Sequence, residues 1–267
     1  MIRRPRDVNE WNRVISVVMI LVAVGVVVPW LWHKYETRPP WWDPVQHLIL
    51  HDGLKETARM AALSLLGAAS IGIVLGTLLT IRFLPSRAVI RAYVEVWRGL
   101  PIIVTLFLVT YALPRVGVLE NAVEAVHRGQ LSLFEAATVA LILWGSAQVA
   151  EATRGAVQSI PREQHEAAAA LGFGWVGRHA FVILPQAARR LLPPMIGLLA
   201  NGIQNTTIAG LIGVGEVLET GNRSTERLLF QTGSSHALPI YLFVMAVFFV
   251  ISFPLTRLAA FLEKRLV

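Results

Sequence analysis

Six stretches of this chain run for 15 residues or more without a charged side chain, and they leave it few folds to adopt. They are residues 14–32, 60–81, 99–114, 136–150, 191–215 and 237–256. A hydrocarbon core of ~30 Å takes about 20 residues of helix to cross. Inside lipid, every backbone N–H and C=O needs an internal partner, so only helices and closed barrels can span. The runs are continuously apolar and do not alternate, which points to helices. The predicted class is therefore an all-α membrane protein with about six transmembrane helices. The third and fourth are the shortest. One lengthens backwards only by taking in Glu95 and Arg98, the other forwards by taking in Glu151 and Arg154.

Composition agrees. Only 15% of residues are charged and 55% are hydrophobic, against roughly 25% charged in soluble domains. A soluble enzyme, a disordered chain and a disulfide scaffold are excluded. With no cysteine there is no thiolate chemistry.

The net charge of +7 could mean nucleic acid or a membrane surface, and the positions of the charges decide. With the N-terminus inside, 16 of the 24 Lys and Arg residues fall on the inner side. Basic loops mark the cytoplasmic face, so both termini are expected there. Membrane lipid is then the expected partner, and nucleic acid is not.

Residues 14–32 follow Arg3, Arg4 and Arg6, as a signal peptide would. No small-residue cleavage site follows them, so the run reads as an uncleaved anchor. The expected organisation is an accessory transmembrane anchor with its outer loop over residues 1–53. A main transmembrane domain over 54–267 follows, with a long inner loop at 158–190 and an outer loop at 216–236.

Several enzyme patterns fail. Gly172-Phe-Gly-Trp-Val-Gly177 is a literal G-x-G-x-x-G, but no strand precedes it. His165-Glu166 begins an H-E-x-x-H that ends on Ala169. There is no P-loop. The seven histidines read as scattered, and no metal site is expected. The chain is predicted to be no enzyme and to bind no cofactor of its own.

The inner loop carries a specific pattern: Glu166-Ala167-Ala168, then Gly172, then Val182, Leu184 and Pro185. It resembles the EAA motif, E-A-A-x3-G-x9-I-x-L-P, of ABC importer permeases. Around it, Ser159-Ile-Pro-Arg-Glu-Gln164, Trp97-Arg-Gly-Leu-Pro101 and Glu151-Ala-Thr-Arg-Gly155 are similar to further motifs of the polar amino acid (histidine/glutamine) permeases. So is the ending with Glu263, Lys264 and Arg265. Residues 54–266 are covered, with the motifs in order. The run at 14–32 would be an added helix, and Gln204-Asn-Thr-Thr-Ile208 departs from the usual K-D-T-S-L.

The resemblance implies a type I ABC importer permease fold. It implies a transmembrane subunit that moves a polar or charged amino acid across the bacterial cytoplasmic (inner) membrane. The implied partners are two ATP-binding subunits carrying ATP and Mg, a second permease (a copy or a paralogue), and an extracytoplasmic amino acid-binding protein. Glu166, Ala167, Ala168, Gly172, Leu184 and Pro185 would couple to the ATPase.

The residues allow that reading in their own right. Alanines at 167–170 favour helix, and Gly172 can end it. An ordinary interfacial helix has the same features. A stand-alone carrier or channel is the alternative function, though it would need a charged relay through the membrane. Glu95 with Arg98 and Glu151 with Arg154 are either i, i+3 pairs or a gate, and Glu151 is the candidate for a substrate ammonium. Asn201, Gln204, Asn205, Thr206 and Thr207 either bond between helices or line the substrate path, with local unwinding expected near 205–207. Ser64, Ala68, Gly72 and Gly76 recur every four residues, a face suited to close helix packing.

Overall fold

The computed structural model describes residues 39–81, 87–112 and 132–266. The anchor expected at 14–32 lies outside them. All regular structure among the described residues is helical. In chain order the helices are α1 (Trp42–Leu78), α2 (Arg87–Gly99), α3 (Ile102–Ala112), α4 (Leu133–Gln158), α5 (Arg162–Ala170), α6 (Trp175–Ile212), α7 (Val217–Thr232) and α8 (Ala237–Leu266). Helices α1, α4, α6 and α8 are long and apolar enough to cross a membrane, and α2 with α3 is a bent pair with the composition of a broken span or a re-entrant loop.

This bent pair corrects the third segment, which the sequence presents as a single helix. The chain bends by 109° between α2 and α3. Pro101 has no N–H to give, disfavours helical backbone at the residue before it, and itself takes an extended ψ of 137°. Helix α2 then lies with Ile90 and Val94 buried against Leu79, Ala147 and Ala150.

The small-residue face of α1 packs on α4. Ser64, Ala68, Gly72 and Gly76 are all buried there. A Cβ at Gly72 would stand 2.5 Å from Val149 Cβ, and one at Gly76 would stand 2.3 Å from the Ala150 carbonyl. Without a hydrophobic drive between helices in lipid, such close backbone approach supplies the attraction.

Helix α1 runs unbroken through residue 53, with a π-helical turn at Leu48–Gly53. A boundary at 53/54 therefore falls inside a helix. Val45 and Ile49 are buried with Val217, Leu228 and Ile240, so residues 42–53 belong to the packed body. The outer segment, expected as a loop, is mostly helix α7. Gly221 lets α8 approach, since a Cβ there would meet Val244 at 2.9 Å.

Helix α6 is one helix where the sequence suggests a loop arm followed by a span. It starts at Trp175, passes a π turn at His179–Ile183, and carries Pro193 and Pro194 inside. The unwinding expected near residues 205–207 does not occur. The helix instead tightens to 3₁₀ geometry over Thr206–Ile212 and ends at Gly213, where φ is +94°. The Thr206 and Thr207 hydroxyls donate to the Ile203 and Gln204 carbonyls, at 2.7 and 2.8 Å. Hydroxyls that compete for helix carbonyls in this way favour the tighter turn.

Candidate functional site: an inner helical hairpin and a polar run

The first arm of the loop folds as the sequence leads one to expect, a helix stopped at Gly172, while its second arm is the start of α6. Helix α5 ends in a Schellman turn: Phe173 N–H donates to Ala168 O at 3.1 Å and Gly172 N–H to Ala169 O at 3.0 Å. Gly172 takes φ +84°, which explains glycine at that position. The chain reverses and re-enters α6 at Trp175. An apolar seam of Val157, Ile160, Ile183, Ala187 and Leu191 joins the C-terminal end of α4 to α6. Arg190 donates to the Ser159 carbonyl, and Gln186 donates to Gln164 at 3.3 Å.

The motif residues separate into two groups. Ala168 is buried, while Glu166, Ala167, Gly172 and Pro185 are exposed and Leu184 is half-buried. Glu166 pairs with Arg162 at 2.7 Å, an exposed pair that adds little stability. At the tip Leu171 is 79% exposed and Phe181 73%, with Val176 close behind. Pro185 sits at the start of the α-helical part of α6, after the π turn, so Leu184-Pro185 is part of a continuous helix. His165 lies on α5 facing His179 at 6.1 Å. Burial, with Arg178 nearby, lowers the His165 imidazole below its usual range.

The charged candidates come together unevenly. Glu151 accepts from Arg154 Nε at 2.9 Å and also from Arg154 Nη2. Arg98 Nη1 reaches the same carboxylate from α2 at 3.8 Å. Glu95 turns to Arg91 at 3.6 Å and leaves Arg98 for the neighbouring helix. The repeated E-x-x-R-G therefore does two different jobs. Its second copy is a local pair, and its first lends an arginine across helices. The Tyr93 and Ser146 hydroxyls, 2.7 Å apart, bind α2 to α4 as well. Neither cross-helix contact has a signal in the sequence, since the partners are 53 residues apart.

The polar run of α6 divides. Asn201 and Gln204 are exposed, Asn205 and Thr207 are half-buried, and Thr206 is buried. Asn205 lines a narrow cleft with Ile102, Leu106, Ala137 and Leu141. Glu151 does not face this run. It stands ten residues beyond Leu141 on α4, about 15 Å along the axis.

One feature the sequence reading missed is Glu216. Its side chain is fully buried. Both its oxygens accept the first backbone N–H groups of α7, from Leu218 at 2.9 Å and Glu219 at 2.7 Å. Burial pushes this carboxyl up to about 7, with the Glu219 charge adding to the effect and the two N–H bonds opposing it. A second correction concerns the histidines. His47 and His51 are not scattered, but lie one turn apart on α1 with their rings stacked at 4.9 Å.

Comparison with known proteins bears on the whole arrangement. Residues 68–267 match the family described as binding-protein-dependent transport system inner membrane component. The glutamine transport system permease protein of Escherichia coli is 32% identical over 225 residues, covering 84% of this chain and 95% of that one. A probable glutamine ABC transporter permease protein of Bacillus subtilis is 29% identical over 215 residues, covering 80% and 92%. Among solved structures, an amino acid ABC transporter crystallised with histidines superposes with a TM-score of 0.67 at 24% identity, over 86% of this chain and all of that one. The MetNI methionine ABC transporter in an inward-facing form gives 0.63 at 19% identity, over 84% and 98%. The motif-bearing hairpin, the spanning helices and these matches converge, and the chain belongs to the family of binding-protein-dependent transport system inner membrane components.

Proposed function

We propose that this chain is the permease subunit of an ATP-driven importer that carries a polar or charged amino acid across a bacterial cytoplasmic membrane. The observation that carries the reading is the α5–α6 hairpin. Its EAA-like residues flank the Gly172 turn on α5 and α6, and an apolar tip of Leu171, Val176 and Phe181 stands uncovered. Exposed apolar side chains of this size mark a surface that a partner covers. The partner is an ATP-binding subunit, one of a pair, which holds ATP and Mg and performs the hydrolysis. Permease relatives include proteins named for glutamine and one named for glutamate/aspartate.

A second permease, either a copy or a paralogue, completes the pathway, and an extracytoplasmic binding protein delivers the amino acid. Asn201, Gln204, Asn205 and Thr207 line the route, with Thr206 buried behind them, and Arg98, Glu95 and Glu151 stand at its inner end. Both termini are cytoplasmic, in keeping with the excess of Lys and Arg on that side.

The test is Gly172→Arg in the assembled transporter. Uptake of labelled amino acid should be lost and the co-purifying ATPase uncoupled or released, with membrane insertion intact. The added side chain disrupts the left-handed Schellman turn at φ +84° and crowds the docking tip. Normal uptake by this variant refutes the coupling role.

A further inference from the structure

We infer that His47 and His51 of α1 form a chelating site for a divalent transition-metal ion such as Zn2+. The site lies within one stretch of α1 and owes nothing to the transport reading. Asp43, His47 and His51 follow one another at intervals of four residues, ahead of the apolar run of α1. In a regular α-helix, four residues turn through about 400°, which sets each side chain about 40° round from the last. Leu48–Gly53 is a π turn, however, and the wider turn takes up that offset. The two imidazoles therefore stand one directly above the other. Their planes are 7° apart and their centroids 4.9 Å apart. Single π turns inside α-helices are often kept at functional positions.

The surroundings suit a metal ion. Both rings are exposed and line a shallow groove with Asp43, Gln46 and Leu50. Asp52 Oδ1 lies 3.9 Å from His51 Nδ1. That separation is too long for a hydrogen bond, so Asp52 contributes negative charge beside the pair. Two histidines at i, i+4 on one helix face are a recurring zinc-binding arrangement, and imidazole suits Zn, Cu and Ni better than Mg or Ca.

A Zn–N distance is about 2.0–2.1 Å. The parallel rings do not themselves aim their nitrogens at one point, so coordination requires both exposed side chains to rotate out of the stack and converge on the ion. Among the described residues no three ligands already stand in coordinating geometry. The site is accordingly a two-imidazole chelate completed by water. Asp43 and Asp52 add negative charge nearby, while Lys55, the next residue in the row, works against them. The bound ion would clip the π turn whose inner side packs on α7, where a Cβ at Gly53 would already meet Val217 Cα at 3.0 Å.

The test uses the full-length chain in lipid nanodiscs, stripped with chelator and titrated with Zn2+ by calorimetry, with Mg2+ as the control ion. The wild type should bind one Zn2+ saturably, show no heat with Mg2+, and melt at a higher temperature with Zn2+ present. His47→Ala and His51→Ala should each weaken binding by about tenfold or more. Asp43→Asn should weaken it less, and His165→Ala should leave it unchanged. The exposed rings carry no core contact, so an unaltered metal-free melting temperature verifies that each variant is folded. Absence of Zn2+ binding up to millimolar concentration overturns the assignment. So does binding that survives either His47→Ala or His51→Ala.

Discussion

Adding one methyl group at Gly76 should loosen the contact between α1 and α4. In the structure that carbon would lie 2.3 Å from the Ala150 carbonyl oxygen and 2.7 Å from Thr153 Cβ. A comfortable carbon–oxygen contact is about 3.3 Å, so the shortfall is about 1 Å. The oxygen belongs to the backbone of α4 and cannot swing aside, so the helices must part locally. Overpacking of this kind costs about 1–3 kcal/mol. Alanine recovers up to about 1 kcal/mol through its higher helix propensity, and the clash should win. Gly72→Ala meets Val149 Cβ at 2.5 Å and should behave alike. Both substitutions push α1 in one direction, so the double variant should cost less than the two singles combined. Gly197→Ala on α6 is the control, since nothing lies within 4 Å of its added carbon. The assay is equilibrium or thermal unfolding of the purified chain at a fixed detergent and scan rate. If Gly76→Ala unfolds at the same point as Gly197→Ala, the close packing of α1 on α4 is not as described.

Three further outcomes follow from the structure. The Glu216 carboxyl is raised by folding to about 7, so its contribution is fully present below the ordinary carboxylate range and is lost as pH rises through 7. Stability should therefore fall as pH rises from about 4.5 to about 7, by up to the order of 3 kcal/mol, and level off above that; Glu216→Gln should flatten that slope, and an unchanged slope refutes the assignment. Glu151→Gln leaves Arg154 and Arg98 without their shared carboxylate, which should cost about 1–3 kcal/mol at this depth of burial. Uptake of cationic and neutral amino acids should then drop alike, and a loss confined to the cationic ones would instead put Glu151 in contact with substrate. Starting the chain at residue 54 removes Val45 and Ile49 from the core, each worth about 1.5–3 kcal/mol. Such a chain should accumulate poorly in the membrane, and full assembly would contradict the continuity of α1.

How much could be read in advance depends on the range of the physics involved. Sequence alone determined the membrane class, the inner hairpin and the packing face of α1. Lipid solvation acts on uncharged runs, Gly172 ends a run of alanines within one turn, and a small residue every fourth position marks one face of a helix. Each of these rules compares a residue with its near neighbours or with the solvent. Tertiary structure decided the rest. The apolar run at 99–114 conceals that its leading helix packs at 109° to it, because lipid preference says nothing about direction. The two E-x-x-R-G copies look equivalent until the register of α2 on α4 sends Arg98 to Glu151. Glu216 looks like a solvent-exposed loop residue until α7 folds beneath it and its carboxylate is sealed over the helix N–H groups. In each case the outcome depends on how two helices are rotated and spaced against each other. Contacts such as Gly72 on Val149 and Gly76 on Ala150 set that geometry, between residues far apart in the chain.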